Sequence, residues 1–159
     1  MFATDKKLII MHKITPFLWF EGNIEEIAKF YTTIFKDSEI LSMAPGQGYS
    51  FATVRLNNQE MILFNAGPMF KLTEATSLYI NVTTQEEVDY YWNALTADGG
   101  EESRCGWLKD KYGLSWQVIP EALNRCINDK DREKAGRAMQ AMMTMSKIIV
   151  ADIEKAYNG

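Results

Sequence analysis

The side chains that could perform chemistry in this sequence are few and lie far apart. The single histidine is His12, and the two cysteines are Cys105 and Cys126. Two adjacent acidic pairs, Glu25-Glu26 and Glu86-Glu87, have the residue types of a carboxylate dyad for acid–base catalysis. Each pair falls in the first turn of a predicted helix, where carboxylates stabilise the positive end of the helix dipole. We therefore interpret both pairs as structural.

Cys105 is the nucleophile candidate that the sequence places nearest to other functional groups, because Trp107 and Asp110 follow it. A reactive thiol requires a base or a positive charge that lowers its pKa. Arg104 is adjacent, but neighbouring residues of a strand point to opposite faces. We favour a buried structural thiol, and the role of Cys105 stays open between the two alternatives. The sequence contains no catalytic triad, phosphate-binding glycine loop or zinc-ligand spacing.

Composition narrows the class of protein. The chain has 159 residues and a net charge of −4, with 17 Lys and Arg scattered among 21 acidic residues, so a nucleic-acid partner is not expected. Two cysteines are too few for a disulfide framework and fit a reducing cytoplasm. The apolar run at residues 8–11 is too short for a signal peptide or a membrane span, so no membrane is expected. We expect residues 1–11 to form a flexible N-terminal extension.

Residues 14–66 predict one strand, one helix and three further strands. Residues 14–20 are rich in apolar and aromatic side chains, which favours a strand. Asn23 is a good helix N-cap, and apolar side chains follow it at helical spacing. The next strand predictions are residues 39–43, 49–56 and 60–66, and an Asn-Asn turn joins the last two.

The same order of elements then recurs. A strictly alternating strand is predicted at residues 77–82, and Thr84 caps the following helix. Short strands are predicted at residues 102–105, 107–109 and 114–119. Asn23 and Thr84, Glu26 and Glu87, and Tyr31 and Trp92 are each 61 positions apart, which indicates an internal duplication. The modules would span about residues 12–66 and 76–120, within a domain of residues 12–120. The alternative is an undivided α+β domain with two incidental helices.

Residues 121–159 predict a helical C-terminal extension, with helices at residues 121–127, 132–145 and 148–157. Four methionines fall within seven positions, at 139, 142, 143 and 145. Flexible thioether side chains suit adaptable apolar surfaces. These helices either pack on their own domain or cover a pocket or a partner subunit, and the sequence does not distinguish these alternatives.

Alternation along the strands predicts which face of the sheet could bind a ligand. Residues 78, 80 and 82 are aliphatic and should face the helices, so residues 77, 79 and 81 should face away from them. A curved face with aromatic and neutral polar groups, the cup, suits a small molecule, unless its own side chains fill it. The pocket candidates are Thr15, Phe17, Trp19, Asn65, Ser77, Tyr79, Asn81, Trp107 and Gln117.

Two segments, residues 16–31 and 105–120, resemble PhnB-like proteins of the glyoxalase/bleomycin resistance/dioxygenase (vicinal oxygen chelate) superfamily. The first contains Pro-Phe-Leu-Trp-Phe, and the second runs from Cys105-Gly106-Trp107 to Pro120. The resemblance implies an α+β fold with two βαβββ modules, cupped mixed sheets and C-terminal helices. It also implies a homodimer. Many such relatives carry the label 3-demethylubiquinone-9 3-methyltransferase.

The resemblance further implies where a metal would bind, because relatives with metal chemistry hold a divalent ion with one side chain from each of four strands. Here those places fall near Thr15, Leu63, Ser77 and Gln117, which lack the imidazoles and carboxylates that such an ion requires. His12 is interpreted as a surface residue. We therefore predict a metal-free protein with no cofactor.

A small molecule bound in the cup is the predicted function, in a cytoplasmic protein. The alternative is an enzyme of the same superfamily, either the methyltransferase of the label or a metal-dependent lyase or dioxygenase. The common doubly wound methyltransferases bind their cofactor at a glycine-rich turn between a strand and a helix. The turn at residues 21–23 contains one glycine. The sequence leaves the ligand, and whether any reaction occurs, open.

Overall fold

In the computed structural model of the chain, residues 14–159 are described. They divide into two compact units, of which the first ends at Lys71 and the second runs from Leu72 to Gly159. The predicted N-terminal extension and His12 lie outside the described residues. Within residues 14–159 no helix combines the length and the hydropathy that a membrane span requires.

The first unit is a four-stranded mixed sheet with one helix. Its strands lie in the order β1-β4-β3-β2, with β1 parallel to β4 and the other neighbours antiparallel. A turn at Asn57 and Asn58, both with positive φ, joins β3 to β4 as the Asn-Asn pair predicted. The elements are β1 (Phe17–Trp19), α1 (Ile24–Ile34), β2 (Glu39–Pro45), β3 (Ser50–Leu56) and β4 (Gln59–Asn65).

Helix α1 forms where its cap and its apolar stripe agree. The Asn23 side chain accepts hydrogen bonds from the backbone N–H groups of Glu25 and Glu26, which have no partner within the helix. The buried stripe packs α1 on one face of the sheet, whose central residues there are also buried. The stripe consists of Ile24, Ile27, Ala28, Tyr31 and Ile34, and the sheet residues include Leu18, Ala52, Val54 and Leu63.

The second unit repeats this arrangement. Its strands lie in the order β5-β8-β7-β6, again with the first strand parallel to its neighbour and the others antiparallel. The Thr84 side chain accepts a hydrogen bond from the Glu87 N–H at the start of α2. The elements are β5 (Ser77–Val82), α2 (Gln85–Thr96), a 3-10 turn (Ala97–Gly99), β6 (Glu101–Glu102), β7 (Trp107–Lys109) and β8 (Ser115–Pro120).

Three helices complete the second unit: α3 (Glu121–Ile127), α4 (Arg132–Met143) and α5 (Val150–Asn158). Met142 and Met145 pack against a core of buried residues from β8 and these helices, whereas Met139 and Met143 are exposed. The Gln85 side chain holds the segment before α5, since its amide donates to the Ile148 carbonyl and accepts from the Val150 N–H. At least half of the methionine cluster therefore packs on its own unit.

The two sheets confirm the predicted fold class, an α+β protein with two βαβββ modules and C-terminal helices. The strand predicted through Cys105 ends earlier, at Glu102, because Cys105 takes a positive φ of 58°. That backbone conformation belongs to a turn and cannot continue a strand. Gly106 follows with a φ of 84°, so the two residues together reverse the chain before β7.

Candidate functional site

Each sheet has one face toward its helix and one face turned away from it, which we call open face 1 and open face 2. Open face 1 carries an aromatic cluster around Trp19. The Trp19 ring lies 4.8 Å from Phe64 and 5.1 Å from Phe70 between ring centroids, and Phe17 lies 5.1 Å from Phe64. Phe17 is 56% exposed and Phe70 is 59% exposed. Contiguous exposed aromatic surface of this kind is typical of a binding site.

The Trp19 ring is fixed in this cluster because its Nε1–H donates to the Gly67 carbonyl at 2.8 Å. Gly67 has a φ of 87°, a conformation that glycine adopts at little cost. The chain can therefore turn at Gly67, whose carbonyl accepts the indole hydrogen bond. Trp19 and Phe17 are thus brought together on open face 1, as their spacing in the sequence predicts. Thr15 precedes them and is half-buried.

Strand pairing removes Asn65 from the set of pocket candidates. Leu63 pairs with Leu18 and Ala52 on the helix face, so Asn65, two residues later, shares that side, while Ile62 and Phe64 lie on open face 1. The Asn65 amide is also committed, because its Nδ2 donates to the Gly22 carbonyl and its Oδ1 accepts from the Gly67 N–H. Asn65 therefore joins the end of β4 to the turn before α1.

Open face 2 carries a neutral polar pair beside an indole. The Gln117 Nε2 donates to the Ser77 Oγ at 2.9 Å, and Trp107 lies directly opposite Gln117 in the antiparallel pair of β7 and β8. All three side chains are half-buried. The sequence alternation therefore predicted the membership of this face correctly, since pairing of β5 with β8 places Tyr79 opposite Gln117.

Helix α3 occupies the end of open face 2 near Tyr79 and Asn81. The Tyr79 Oη accepts a hydrogen bond from the Asn124 side chain at 2.7 Å, and the Asn81 Nδ2 donates to the Glu121 carboxylate at 3.2 Å. Both residues remain exposed. Their polar groups thus hold α3 against the sheet as well as lining this face.

A cavity of about 120 Å³ lies at the other end of open face 2. It is lined by Ser115, Lys109, Trp107 and three glutamates, Glu74, Glu101 and Glu102. Ser115 is 2% exposed, and its Oγ has no hydrogen-bond partner among residues 14–159. Sequence analysis missed this cavity, although the alternation that placed Gln117 on this face also places Ser115 there.

Lys109, which lines the cavity, forms an ion pair with Glu74. Its Nζ lies 2.6 Å from the Glu74 carboxylate. This hydrogen bond raises the pKa of Lys109, and the charge of Glu101 adds a smaller effect in the same direction. The same bond lowers the pKa of Glu74. Both groups are therefore charged at neutral pH, and they satisfy each other.

The residues present do not fit a divalent metal of the kind that this fold can hold. Thr15, Ser77 and Gln117 offer only neutral groups. Leu63 faces the helix, and its neighbours in the strand that do lie on open face 1, Ile62 and Phe64, are apolar. Hard or borderline divalent ions require carboxylates or imidazoles. Within residues 14–159 no three His, Cys, Asp or Glu side chains form a group that could hold an ion.

The turn before α1 does not fit a nucleotide-type methyl donor either. The common doubly wound methyltransferases bind this cofactor at a glycine-rich turn between a strand and a helix, and residues 21–23 contain one glycine. Here the Asn23 side chain occupies two N–H groups at the N-terminus of α1, and Glu25 and Glu26 place negative charge around it. The Asn23 cap therefore satisfies the start of α1 within the chain.

The two cysteines are placed differently. Cys126 is buried, and burial raises the pKa of its thiol. Cys105 is half-buried, with its Sγ 3.9 Å from the Met143 Sδ. The carboxylate of Asp110 does not serve as a base for Cys105, since it accepts hydrogen bonds from the Leu114 N–H and the Trp116 Nε1–H.

Comparison with known proteins gives one family and several structures. The sequence matches the family model described as 3-demethylubiquinone-9 3-methyltransferase over residues 12–119. A PhnB protein from Bacillus cereus, provisionally named 3-demethylubiquinone-9 3-methyltransferase, is 37% identical. Its solved structure matches with a TM-score of 0.61, over 69% of this chain and 99% of that chain.

Two more distant structures show the fold alone. Protein PA1353 from Pseudomonas aeruginosa is 21% identical, with a TM-score of 0.52 over 67% of this chain and 95% of that chain. The fosfomycin resistance protein FosX from Listeria monocytogenes is 14% identical, with a TM-score of 0.55 over 70% of this chain and 93% of that chain. The comparison with curated proteins gives no match.

Proposed function

Because this chain belongs to the 3-demethylubiquinone-9 3-methyltransferase family and has the fold of the vicinal oxygen chelate superfamily, we propose that it binds a small organic molecule on open face 2 without a metal ion. The hydrogen-bonded pair of Ser77 and Gln117 beside Trp107 is the observation that supports this proposal. An indole with a few neutral polar groups is the usual lining of a small-molecule site.

Binding would use this pair in a simple way. The Gln117 amide has a carbonyl oxygen and a second N–H in addition to the bond to Ser77, so it can both donate to and accept from a ligand. Trp107 would supply flat apolar contact area at little cost in side-chain entropy. Trp19 and Phe17 would act in the same way on open face 1.

Enzymatic activity is the second candidate, and the names of related proteins favour it. Structures of FosX are described as complexes with Mn(II), and the PhnB protein carries a methyltransferase name. Neither activity finds matching residues here, since the metal positions are neutral or apolar and the start of α1 is capped. Binding alone requires none of these groups, so we prefer it.

We further propose a cytoplasmic homodimer without a nucleic-acid or membrane partner. The exposed aromatic residues of open face 1 support self-association, because exposed apolar patches are commonly buried in subunit interfaces. Multi-angle light scattering at micromolar concentration tests this part separately. A mass of one chain, near 18.2 kDa, would refute the dimer and leave the binding proposal intact.

A thermal-shift screen tests the binding proposal with small metabolites, Mn(II) and S-adenosylmethionine. We expect stabilisation by at least one metal-free organic compound and none by Mn(II). Stabilisation by Mn(II) at micromolar concentration, or by S-adenosylmethionine, would support the enzyme instead.

A matched pair of variants tests where the compound binds. Gln117→Met removes the amide at similar volume and should weaken binding about ten-fold, the worth of one good hydrogen bond to a ligand. Gln47→Met changes an exposed loop residue and should leave the affinity unchanged. Equal affinities in both variants would place the ligand elsewhere and contradict the proposal.

A further inference from the structure

Matching rows of three side chains cross the two open faces next to the hairpin turn. In the first unit, strand pairing aligns Glu39, Arg55 and Glu60 across β2, β3 and β4. In the second unit it aligns Glu101, Lys109 and Ser115 across β6, β7 and β8. Glu39 and Glu101 each begin the strand after the helix, and Arg55 and Lys109 each hold the open-face position nearest the hairpin turn. The two rows therefore hold corresponding positions next to the two hairpin turns.

In the first unit a guanidinium group fills the centre of the row. Arg55 donates to the Glu39 carboxylate from one nitrogen and to the Glu60 carboxylate from another, both at 2.5 Å. Glu60 is 2% exposed, so its charge is compensated mainly by this contact. The row is thus an acid–cation–acid arrangement in which the cation belongs to the chain.

In the second unit the lysine at the centre of the row pairs with a residue outside the row. The Lys109 ammonium pairs with Glu74 instead, and Ser115 replaces the carboxylate that Arg55 contacts in the first unit. The cavity of about 120 Å³ lies here and Ser115 lines it; the Ser115 Oγ is buried and has no hydrogen-bond partner among the described residues. A buried hydroxyl left without a partner destabilises the fold, and a bound polar group would offset that cost.

We propose that this cavity binds the guanidinium or ammonium group of a small organic ligand. The inference rests on the proposed function, because Trp107 lines both this cavity and the binding face, and it names the charge of the ligand. The N–H groups of the cation would donate to the Ser115 Oγ and to the Glu101 carboxylate, as Arg55 donates to Glu60 and Glu39 in the first unit.

Charge and shape around the cavity favour a cation over an anion. Three glutamates and one lysine line it, which leaves two negative charges in excess, and the lysine is already paired with Glu74. The Trp107 ring would add favourable cation–π contact. The volume accommodates a group of several non-hydrogen atoms, so the rest of the ligand would extend over open face 2 toward Gln117.

Titration of the full-length chain with methylguanidinium tests the proposal, with N-methylurea as a neutral probe of nearly the same shape. The indole N–H resonance of Trp107 reports on the cavity by NMR. We expect methylguanidinium to shift this resonance saturably and N-methylurea to bind at least ten-fold more weakly. Binding should weaken as salt rises from about 0.05 to about 0.5 M, because salt screens the partly exposed carboxylates.

Two equivalent variants locate the charge that is responsible. Glu101→Gln should weaken methylguanidinium binding about ten-fold. Glu39→Gln, the matching change in the first unit, should leave it within about two-fold, because Arg55 already fills that row. Equal effects of the two variants, or equal binding of the neutral probe, would overturn the proposal.

Failure of this inference is distinguishable from failure of the proposed function. If a neutral or anionic compound from the thermal-shift screen binds in a Gln117-dependent manner while methylguanidinium does not bind, the cation site is refuted and the binding function stands. If methylguanidinium binds, depends on Glu101 and shifts the Trp107 resonance, the cation site is supported whatever the screen identifies.

Discussion

The rows next to the two hairpin turns show how a duplicated fold can use one position in two ways. In the first unit, Arg55 lies between Glu39 and the buried Glu60, so the Glu60 carboxylate has a cation in contact. In the second unit, Lys109 pairs with the exposed Glu74, and the space beside Ser115 stays open. The strand order is the same in both units, and the two rows differ in the side chains that they carry.

The contrast between the two rows indicates that a buried carboxylate restricts which side chains can lie beside it. The Glu60 carboxylate is 2% exposed and is paired with the Arg55 guanidinium, because desolvation of an unpaired charge costs several kcal/mol. Once the acid is replaced by a neutral residue such as Ser115, the neighbouring lysine can turn away at little cost. A position released in this way becomes available for a ligand.

The largest expected effect is the loss of the Arg55 guanidinium. Arg55→Met should lower the free energy of unfolding by about 3 kcal/mol, because it leaves the buried Glu60 carboxylate without its cation. Lys109→Met should cost less than about 1 kcal/mol, since its partner Glu74 is exposed. Urea unfolding followed by circular dichroism measures both. A double variant, Arg55→Met with Glu60→Met, should recover most of the loss; similar losses for the two single variants would contradict the contrast.

The two hairpin turns should also differ in the interactions that stabilise them. The turn between β7 and β8 depends on Asp110, which is 3% exposed and accepts hydrogen bonds from Tyr112 N–H, Leu114 N–H and Trp116 Nε1–H. Asp110→Ala should therefore lower the free energy of unfolding by about 2 kcal/mol, because three donors lose their acceptor. Thermal unfolding tests this against Glu133→Ala, an exposed control. A loss equal to that of the control would show that the turn forms without the carboxylate.

Two serines on open face 2 should respond differently to the same change. Ser77→Ala removes the acceptor of the Gln117 amide and should cost about 1 kcal/mol. Ser115→Ala removes a buried hydroxyl without a partner among residues 14–159 and should raise the free energy of unfolding by about 1 kcal/mol in the absence of ligand. Chemical denaturation of the two variants provides the measurement. A loss of stability in Ser115→Ala would mean that its hydroxyl already has a stabilising contact.

The smallest effect concerns a single titration. The hydrogen bond from Lys109 lowers the pKa of Glu74 below its ordinary value of about 4.3. A lowered pKa in the folded state means that the pair stabilises the fold above that ordinary value and loses this contribution as the pH falls through the lowered pKa. Carboxyl-carbon NMR should show the low midpoint in the native chain and an upward shift in Lys109→Met. An unchanged midpoint would place the Lys109 ammonium away from Glu74.

The sequence by itself determined most of the fold because local signals agreed with each other. Asn23 and Thr84 are helix caps in the structure as their types and positions predict, and β5, β7 and α3 have the predicted bounds. Strict alternation in β5 also identified which of its side chains face away from the helix. These features depend on neighbours within a few residues, so they can be read along the chain.

Tertiary structure alone decided the register of β4 and the direction of Lys109. Met61 to Phe64 are all apolar, so no alternation shows that Leu63 and Asn65 face the helix, and only pairing with β1 and β3 fixes it. The Lys109 ammonium pairs with Glu74, although Glu101 lies directly opposite Lys109 in the antiparallel pair of β6 and β7. The cavity lined by Ser115 lies beside this ion pair. Such outcomes depend on competition among groups that only the folded chain brings together.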